Sequence, residues 1–151
     1  MEPEIEKTKH ELAEMLKLIP QMQKAVQNGL KAHFNGLQDF DHKVIPQKLE
    51  PLRKGIDILD PKFTLDIIFC LSQENKSLYF NELKHMLPYV NATTLSDRLK
   101  KLEKNGVVER HIFPQERPIR VSYNLSEFGH GIFRLLLPLL VFTSYSEKIA
   151  G

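Results

Sequence analysis

The sequence is poor in cysteine and contains no tryptophan. Its 151 residues include one cysteine, Cys70, in the apolar segment Ile-Ile-Phe-Cys-Leu. A single thiol forms neither a disulfide framework nor a cysteine-based zinc site within one chain. Its apolar neighbours predict a buried, inert side chain. Because chains with few cysteines are typical of reducing compartments, the composition favours an intracellular, cytoplasmic protein.

Long apolar runs are also missing. The most apolar stretch, residues 132–142, is much shorter than the roughly 20 residues that a transmembrane helix needs. The N-terminus, Met-Glu-Pro-Glu-Ile-Glu, lacks the basic start and the apolar segment of a signal peptide. We therefore expect no membrane partner.

The motifs of common enzyme classes are absent as well. The chain contains no Gly-x-Ser-x-Gly, no His-Glu-x-x-His and no dinucleotide-binding fingerprint. Gly129 and Gly131 are expected to allow close packing, since no Walker-type Lys-Ser/Thr follows them. We therefore expect neither an enzyme nor a bound cofactor. Metal-ligating side chains cluster in one polar loop, but their spacing favours a solvated turn over a metal centre: His33, Asp39, Asp41 and His42.

Charge is nearly balanced overall but unevenly distributed. The net charge is +2, from 21 basic and 19 acidic residues. Residues 1–60 hold 9 basic and 10 acidic side chains, whereas residues 61–151 hold 12 and 9. Residues 88–120 hold 7 basic and 4 acidic side chains, so their excess of basic residues equals that of the whole segment 61–151. This distribution fits contact with phosphates, although an ordinary solvated surface has a similar balance.

Residues 81–129 have the pattern of a helix-turn-helix followed by a hairpin. Leu95, Leu99 and Leu102 recur at i, i+4 and i+7 and therefore line one side of a helix. Asn91 is placed to cap that helix, and Gly106 stands where a left-handed residue ends one. Two β-branched segments with a proline-bounded loop then predict a hairpin, and residues 77–80 predict a short strand that pairs with it. We expect a mainly α (α+β) fold, a winged helix-turn-helix with a three-strand wing sheet.

Five segments of this framework occur in an order and at a spacing that are specific as a set. They are Lys-Phe-Thr-Leu (62–65), Phe-Asn-Glu-Leu (80–83), Leu-Lys-Lys-Leu-Glu (99–103), Gly-Val-Val-Glu-Arg (106–110) and Arg-Val-Ser-Tyr-Asn-Leu-Ser (120–126). Over about residues 50–148 the chain resembles the HxlR-type branch of the MarR-like transcriptional regulators. The resemblance implies a dimeric DNA-binding regulator. Many of these proteins carry a redox-sensing Cys-Pro pair, but the matching residues here are Glu50 and Pro51, so thiol sensing at this position is not implied.

The residues expected to contact DNA lie in the wing and on the side of the helix opposite the leucines. The first turns of the helix are placed to reach base edges, and the basic residues to reach phosphates. Asp97 is expected either to accept a hydrogen bond from a cytosine amine or to pair with Lys101. The base-reading candidates are Asn91, Thr93, Thr94, Ser96 and Asp97; the phosphate candidates are Arg98, Lys100, Lys101 and Lys104; the wing candidates are Gln115, Arg117 and Arg120.

The two ends of the chain predict helices that hold subunits together. Residues 2–31 carry an apolar heptad stripe interrupted at Pro20, so residues 1–49 are expected to form a helical extension for dimerisation. Residues 50–151 are expected to form the winged-helix domain with a C-terminal dimerisation helix. Within residues 132–142 only Arg134 is polar, and Pro138 is expected to bend the helix. A helix so apolar favours a homodimer, because one domain covers only one of its sides.

Shorter signals predict where the intervening helices begin. Residues 46–59 are expected to be helical, with Pro51 in the first turn. Asp60 and Pro61 suit the cap and first position of the next helix. Asn81 suits the cap of the helix after that, whose inward side chains are expected to be Leu83, Met86 and Leu87.

Two functions are consistent with these features. The leading hypothesis is a homodimeric regulator of transcription that binds double-stranded DNA sequence-specifically at a pseudo-palindromic operator. The alternative is a winged-helix protein–protein interaction module that does not bind DNA, which the modest charge and several acidic residues leave open. The family resemblance also suggests a pocket for a small-molecule effector between the N-terminal extension and the winged-helix core.

Overall fold

The structure, a computed structural model, describes residues 45–73 and 77–150 and several positions between residues 7 and 28 (7, 10, 13, 14, 17, 20, 21, 24–26 and 28). The chain divides into two compact units, one of residues 50–136 and one of residues 1–49 with 137–151. Within residues 45–150 the elements, in chain order, are α1 (Ile45–Leu59), α2 (Thr64–Gln73), β1 (Leu78–Tyr79), α3 (Phe80–Met86), α4 (Ala92–Lys104), β2 (Val108–Phe113), β3 (Arg120–Leu125) and α5 (Glu127–Ala150).

The core of residues 50–136 is built around the leucine side of α4. Leu95, Leu99 and Leu102 are each at most 1% exposed, which confirms the predicted stripe. Full burial of such a side chain contributes roughly 1.5–3 kcal/mol to folding, so this side of α4 is held inward. The remaining buried apolar side chains come from α2, α3, the turns and the sheet: Ile67, Ile68, Cys70, Leu71, Leu78, Leu83, Leu87, Val90, Val107, Val108 and Leu125.

The sheet has three antiparallel strands in the order β1-β3-β2. The hairpin of β2 and β3 runs in continuous register from Val108 opposite Leu125 to Phe113 opposite Arg120. The predicted short strand is present as β1, where Leu78 lies opposite Tyr123. A helix-turn-helix followed by this sheet confirms the expected fold, a mainly helical chain with a small wing sheet.

Both ends of α4 form as predicted. The Asn91 side-chain oxygen accepts a hydrogen bond from the Thr94 amide at 2.8 Å, which satisfies one of the free donors of the first turn. At the other end Gly106 has φ +71°, the left-handed conformation that glycine adopts without strain. The amides of Gly106 and Val107 donate to the carbonyls of Glu103 and Leu102, the two bonds of a Schellman motif.

The predicted starts of α2 and α3 were wrong by a few residues. Phe63 has φ +72°, so no helix passes through it, and α2 begins at Thr64 rather than at Asp60 and Pro61. The helix α3 begins at Phe80, before the predicted cap Asn81. Its cap position is Tyr79, whose amide donates to the Glu82 carboxylate at 2.7 Å.

Two further details of the helices differ from expectation. Pro51 lies inside α1 instead of in its first turn, because that helix begins at Ile45. In α3 the predicted inward residues Leu83 and Leu87 are buried, whereas Met86 is 39% exposed. Leu83 and the C-cap residue Leu87 anchor the short helix in the core, and the half-buried Phe80 packs against it.

The last helix is capped by a serine that also fastens it to the sheet. The Ser126 hydroxyl donates to the Gly106 carbonyl and accepts from the Gly129 amide at 3.0 Å. A Cβ atom on Gly129 would lie 2.1 Å from the Val107 carbonyl oxygen, whereas one on Gly131 would meet nothing within 4 Å. Close packing was therefore correctly predicted for Gly129, whereas no described residue packs closely against Gly131.

The described positions between residues 7 and 28 are helical, in line with the predicted N-terminal helix. The rest of that helix, most of its heptad stripe and the loop with His33, Asp39, Asp41 and His42 lie outside the described residues. Among the residues that are described, no group of three or more His, Cys, Asp or Glu side chains is arranged to hold a metal ion. No helix in the same part of the chain has the length and apolar character needed to cross a membrane.

Candidate nucleic-acid interface

The outer side of α4 is a continuous polar surface opposite the buried leucines. Thr93, Asp97, Lys100 and Lys104 follow one another at intervals of four, three and four residues and are all exposed. Lys101 and Asn91 are exposed beside them, whereas Thr94, Ser96 and Arg98 are half-buried. All nine candidates of this helix therefore lie in or beside one surface.

The lysines of this surface are not neutralised by any residue that the structure describes. Among the described residues, the side chains of Lys100, Lys101 and Lys104 form no ion pair, and neither does the Asp97 carboxylate. The expected pairing of Asp97 with Lys101 is therefore not formed in this structure. Three cationic side chains that face solvent without a partner are free to meet an anionic ligand.

Asn91 has a structural role in addition to its predicted one. Its side-chain oxygen accepts from the Thr94 amide, which leaves the amide nitrogen and one lone pair of the oxygen to meet a base. Sequence reasoning assigned this residue two roles, the cap and the base contact, and only the cap is visible in the geometry. Base reading by Asn91 stays a prediction.

Arg98 is tied to the preceding part of the chain. Its Nε donates to the Lys62 carbonyl at 3.1 Å, which joins α4 to the turn between α1 and α2. The side chain is half-buried, unlike the three lysines that follow it. Sequence reasoning missed this contact, because no local pattern relates positions that are 36 residues apart.

A tyrosine in the turn before α4 makes a second contact of this kind. The Tyr89 hydroxyl donates to the Asp66 carboxylate at 2.7 Å, and its ring lies 5.9 Å from the ring of Phe63. The hydrogen bond to Asp66 raises the pKa of Tyr89 above its ordinary value, so the hydroxyl remains a donor at neutral pH. Burial raises the pKa of the nearby Cys70 thiol, and the charge of Asp66 adds to the effect. The predicted inert thiol is consistent with this environment.

The two arginines of the wing differ in their surroundings. Arg120 pairs with Glu116 at 3.1 Å and lies over the ring of Tyr79, with 5.4 Å between its guanidinium carbon and the ring centre. Arg117 and Gln115 are exposed at the hairpin loop and contact no other described side chain through a hydrogen bond or an ion pair. Of the two arginines, Arg117 is therefore the one that is free to bind an external group.

A polar cluster covers one side of the hairpin. Asn124 is at its centre: its oxygen lies 2.6 Å from His111 Nε2, and its nitrogen donates to Glu109 at 2.9 Å. The Ser77 hydroxyl also donates to this oxygen, at 3.3 Å. These contacts fix β1, β2 and β3 relative to one another near the base of the wing. Cross-strand register brings the four residues together, and sequence reasoning did not identify the cluster.

A shallow groove lies between the wing and the start of α3. Its volume is about 600 Å³, and its lining consists of Tyr79, Phe80, Asn81, Glu82, Pro118, Ile119, Arg120 and Val121. This groove is not the expected effector pocket, which would involve the N-terminal extension. Most of that extension lies outside the described residues, so the effector pocket stays a prediction.

Comparison with known proteins identifies the family of the segment that carries this surface. A model of the HxlR-like helix-turn-helix family matches residues 58–148, which are 91 of the 151 residues. The chain belongs to the HxlR-like helix-turn-helix family. The matched segment begins at the end of α1 and extends nearly to the end of α5, so it contains the whole helix-turn-helix and the wing.

Individual similar proteins agree with this assignment. The chain is 39% identical to the HTH-type transcriptional regulator YvaP of Bacillus subtilis over 83 residues, which cover 55% of this chain and 74% of YvaP. A crystal structure of an HxlR family transcriptional factor from Thermoplasma volcanium has a TM-score of 0.54 and 30% identity, with 62% of this chain and 81% of that one covered. The crystal structure of diamide-treated YodB from B. subtilis has a TM-score of 0.56 and 26% identity, with 64% of this chain and 92% of that one covered.

The protein is therefore a transcriptional regulator of the HxlR-like, winged helix-turn-helix type, as the sequence resemblance implied. Glu50, where the resemblance placed the cysteine of a Cys-Pro pair in many members, lies outside the matched segment. Glu50 is exposed in α1 and lies 3.6 Å from the Lys54 amine. A carboxylate at this position performs no thiol chemistry.

Proposed function

We propose that the protein is a homodimer that binds double-stranded DNA sequence-specifically and acts at a pseudo-palindromic operator. The observation that carries this proposal is the outer side of α4, where Lys100 and Lys104 lie opposite three buried leucines, with Lys101 at the edge, and form no ion pair with any described residue. The leucines hold the helix rigidly, and the lysines give the exposed side a positive charge. A rigid, cationic helix that follows a short turn suits the major groove of DNA.

The size of α4 supports this role. Its 13 residues have a length of about 20 Å, and the major groove is about 12 Å wide, enough to admit one helix. We propose that Thr93, Thr94, Ser96 and Asp97, with the free amide of Asn91, face base edges. Lys100, Lys101 and Lys104 would bind phosphates, and Arg117 and Gln115 of the wing would contact the adjacent backbone or minor groove.

The apolar side of α5 supports the homodimer. Phe128, Leu135, Leu139 and Leu140 are between 49% and 69% exposed, and Leu137 is 37% exposed. Monomeric proteins rarely expose so many large apolar side chains along one helix, whereas a symmetric pair of helices would bury them. Two α4 helices related by such symmetry would contact successive major grooves, roughly 34 Å apart, and would read a palindromic sequence.

The salt dependence of DNA binding tests the phosphate contacts. We expect Lys100→Ala and Lys101→Ala each to weaken binding to any duplex and to reduce the slope of log K against log salt by about 0.9 for each lost contact, or about 1.8 for a dimer that loses one contact in each subunit. Fluorescence anisotropy with a labelled duplex over a range of salt concentrations measures both effects. Lys54→Ala is a charge-matched control, because this lysine lies in α1 and is adjacent to Glu50.

Selection from random duplexes tests sequence specificity and symmetry together. The proposal predicts a palindromic consensus, and Thr93→Ala should alter the preferred base at one position in each half. A salt titration without slope, or no complex at micromolar protein and low salt, would contradict the proposal. That result would instead support the winged-helix interaction module.

A further inference from the structure

We propose that Arg98 is a positioning residue, which sets the orientation of α4 by anchoring it to the turn of residues 60–63, and that it does not bind a DNA phosphate. This inference rests on the proposed DNA binding by α4. It reassigns the first basic residue of the helix, which the sequence alone grouped with the lysines.

The hydrogen bonds of the turn explain why the anchor is available. The carbonyl of Pro61 accepts from the Thr64 amide at 3.0 Å, and the carbonyl of Phe63 accepts from the Ile67 amide at 3.1 Å. The carbonyl of Lys62, between them, accepts from Arg98 Nε. Phe63 adopts φ +72°, so the chain reverses here before α2 begins. The turn therefore presents one backbone acceptor to α4, and Arg98 occupies it.

Tyr89 provides a second anchor, which joins the segment before α4 to the first turn of α2 and to the turn that precedes α2. Its hydroxyl donates to Asp66 in the first turn of α2, and its ring contacts Phe63. Lys62 Nζ also lies over the Phe63 ring, 4.7 Å from its centre. One anchor thus precedes the N-terminus of α4, and the other lies in its second turn.

Two directional contacts determine the rotation of α4 about its axis, which apolar packing alone does not fix. Burial of Leu95, Leu99 and Leu102 holds α4 on the core, but the hydrophobic effect has no preferred direction. Hydrogen bonds require a defined distance and angle, so one before the helix and one in its second turn fix the rotation of α4 about its axis. The rotation decides which side chains reach base edges, and the anchors should therefore affect specificity more than general affinity.

The surroundings of Arg98 distinguish it from the phosphate-binding lysines. Its side chain is half-buried and its Nε has a partner, whereas Lys100, Lys101 and Lys104 are exposed without an ion pair among the described residues. A guanidinium held by a backbone carbonyl at its Nε is directed by the protein and not by the ligand.

Two substitutions of Arg98 distinguish the effect of its hydrogen bond to the Lys62 carbonyl from the effect of its positive charge. Arg98→Gln removes the charge but retains an N–H donor the same number of bonds from Cα as arginine Nε. Arg98→Lys retains the charge but replaces that donor by a methylene group. Both variants are titrated against the duplex selected from the random pool and against a random duplex over a range of salt concentrations. Circular dichroism and the active fraction from stoichiometric titration show that each variant is folded.

The positioning role predicts that Arg98→Gln binds the selected duplex more tightly than Arg98→Lys does, by about fivefold for each half-site, the effect of one net hydrogen bond in each subunit. The salt slope should be the same in both variants as in the wild type. Arg98→Lys should lose more affinity for the selected duplex than for the random one. Partial unfolding lowers both affinities by the same factor, so it does not change their ratio. Tyr89→Phe, which retains the ring, should show the same loss of preference with an unchanged slope.

Any other order of the affinities of Arg98→Gln and Arg98→Lys for the selected duplex overturns the inference. Near-normal binding by Arg98→Lys, with weaker binding and a slope reduced by about 1.8 in Arg98→Gln (about 0.9 for each subunit of the dimer), identifies a phosphate contact. Equal behaviour of the two variants also contradicts the anchor. If the wild type itself binds no duplex, the proposed function fails, and the result is distinct from either outcome for Arg98.

Discussion

At the scale of single residues, the tightest requirement is at Gly129 in the first turn of α5. The Ser126 amide donates to the Val107 carbonyl at 3.0 Å, and this contact brings the start of α5 against the loop that follows α4. The space for a side chain on Gly129 is filled by that carbonyl group. Backbone atoms cannot move aside as the end of a flexible side chain can, so a substitution here must displace the helix.

Gly129→Ala should therefore destabilise the protein by about 1–3 kcal/mol, the usual range for overpacking. Gly131→Ala is the matched control, since no atom lies within 4 Å of its added methyl group. It should stabilise the protein by up to about 1 kcal/mol, because alanine is the better helix former. Urea unfolding of all three proteins at one concentration measures the difference, and equal stability of the two variants would contradict the close approach.

At the scale of elements, α4 carries its own boundary signals. The Asn91 cap at one end and the Schellman bonds around Gly106 at the other satisfy donors and acceptors that every helix leaves free. These bonds involve residues near in sequence, and they define the surface that is proposed to meet DNA. Its first turn is therefore held both by the cap and by the anchor at Tyr89.

Substitution of Asn91 separates the cap from the DNA contact. Asn91→Ala should lower the free energy of unfolding by about 1 kcal/mol, because the Thr94 amide loses its acceptor. Asn91→Asp keeps the acceptor and adds a favourable charge at the helix N-terminus, so its stability should be within about 0.5 kcal/mol of the wild type or higher. Its DNA affinity should fall, since the carboxylate repels phosphates.

Thermal or urea unfolding together with duplex binding gives both quantities. Thr93→Ala, an exposed change beside the cap, should alter stability by less than about 0.5 kcal/mol and serves as the control. Undiminished DNA binding by Asn91→Asp would place the first turn of α4 away from the phosphates and would count against the proposed docking.

At the scale of the whole molecule, the exposed apolar side chains of α5 require an explanation beyond the fold of one chain. Leu135 and Leu139 are one helical turn apart and are 69% and 57% exposed. Burial of apolar surface at roughly 25 cal/mol per Å² is the dominant favourable term in association of subunits. We therefore expect this side of α5 to drive homodimer formation.

The double substitution Leu135→Glu and Leu139→Glu should convert the protein to a monomer, because four carboxylates would face one another in a symmetric interface. Light scattering after size-exclusion chromatography measures the mass. Binding to the selected duplex should weaken greatly, since each half-site would then be bound independently. Ile112→Glu is the control: this residue is 51% exposed in β2, and the variant should remain a dimer. A wild type that is monomeric at high concentration would contradict the proposal outright.

Much of the fold followed from patterns between neighbouring residues. The leucine stripe, the Asn91 cap, Gly106, the hairpin and β1 were all predicted correctly, because periodicity, capping and turn chemistry act over a few positions. The errors fell at helix starts. Asp60, Pro61 and Asn81 have good capping propensity, but Phe63 in a left-handed conformation and the Tyr79–Glu82 contact decide where α2 and α3 begin. The conformation of Phe63 depends on packing that local propensity does not represent, whereas the Tyr79–Glu82 contact is a local cap that competes with the one expected at Asn81.

The candidate interface was predicted in outline but not in its internal contacts. The sequence by itself determined that α4 has an apolar side for the core and a cationic side for solvent, because helical periodicity separates the two kinds of residue. Only the tertiary structure decided which cations are free, through the contacts of Arg98 with Lys62 and of Arg120 with Glu116 and Tyr79. Contacts between distant positions require the chain to be folded, whereas amphipathic periodicity is already present in the order of the residues.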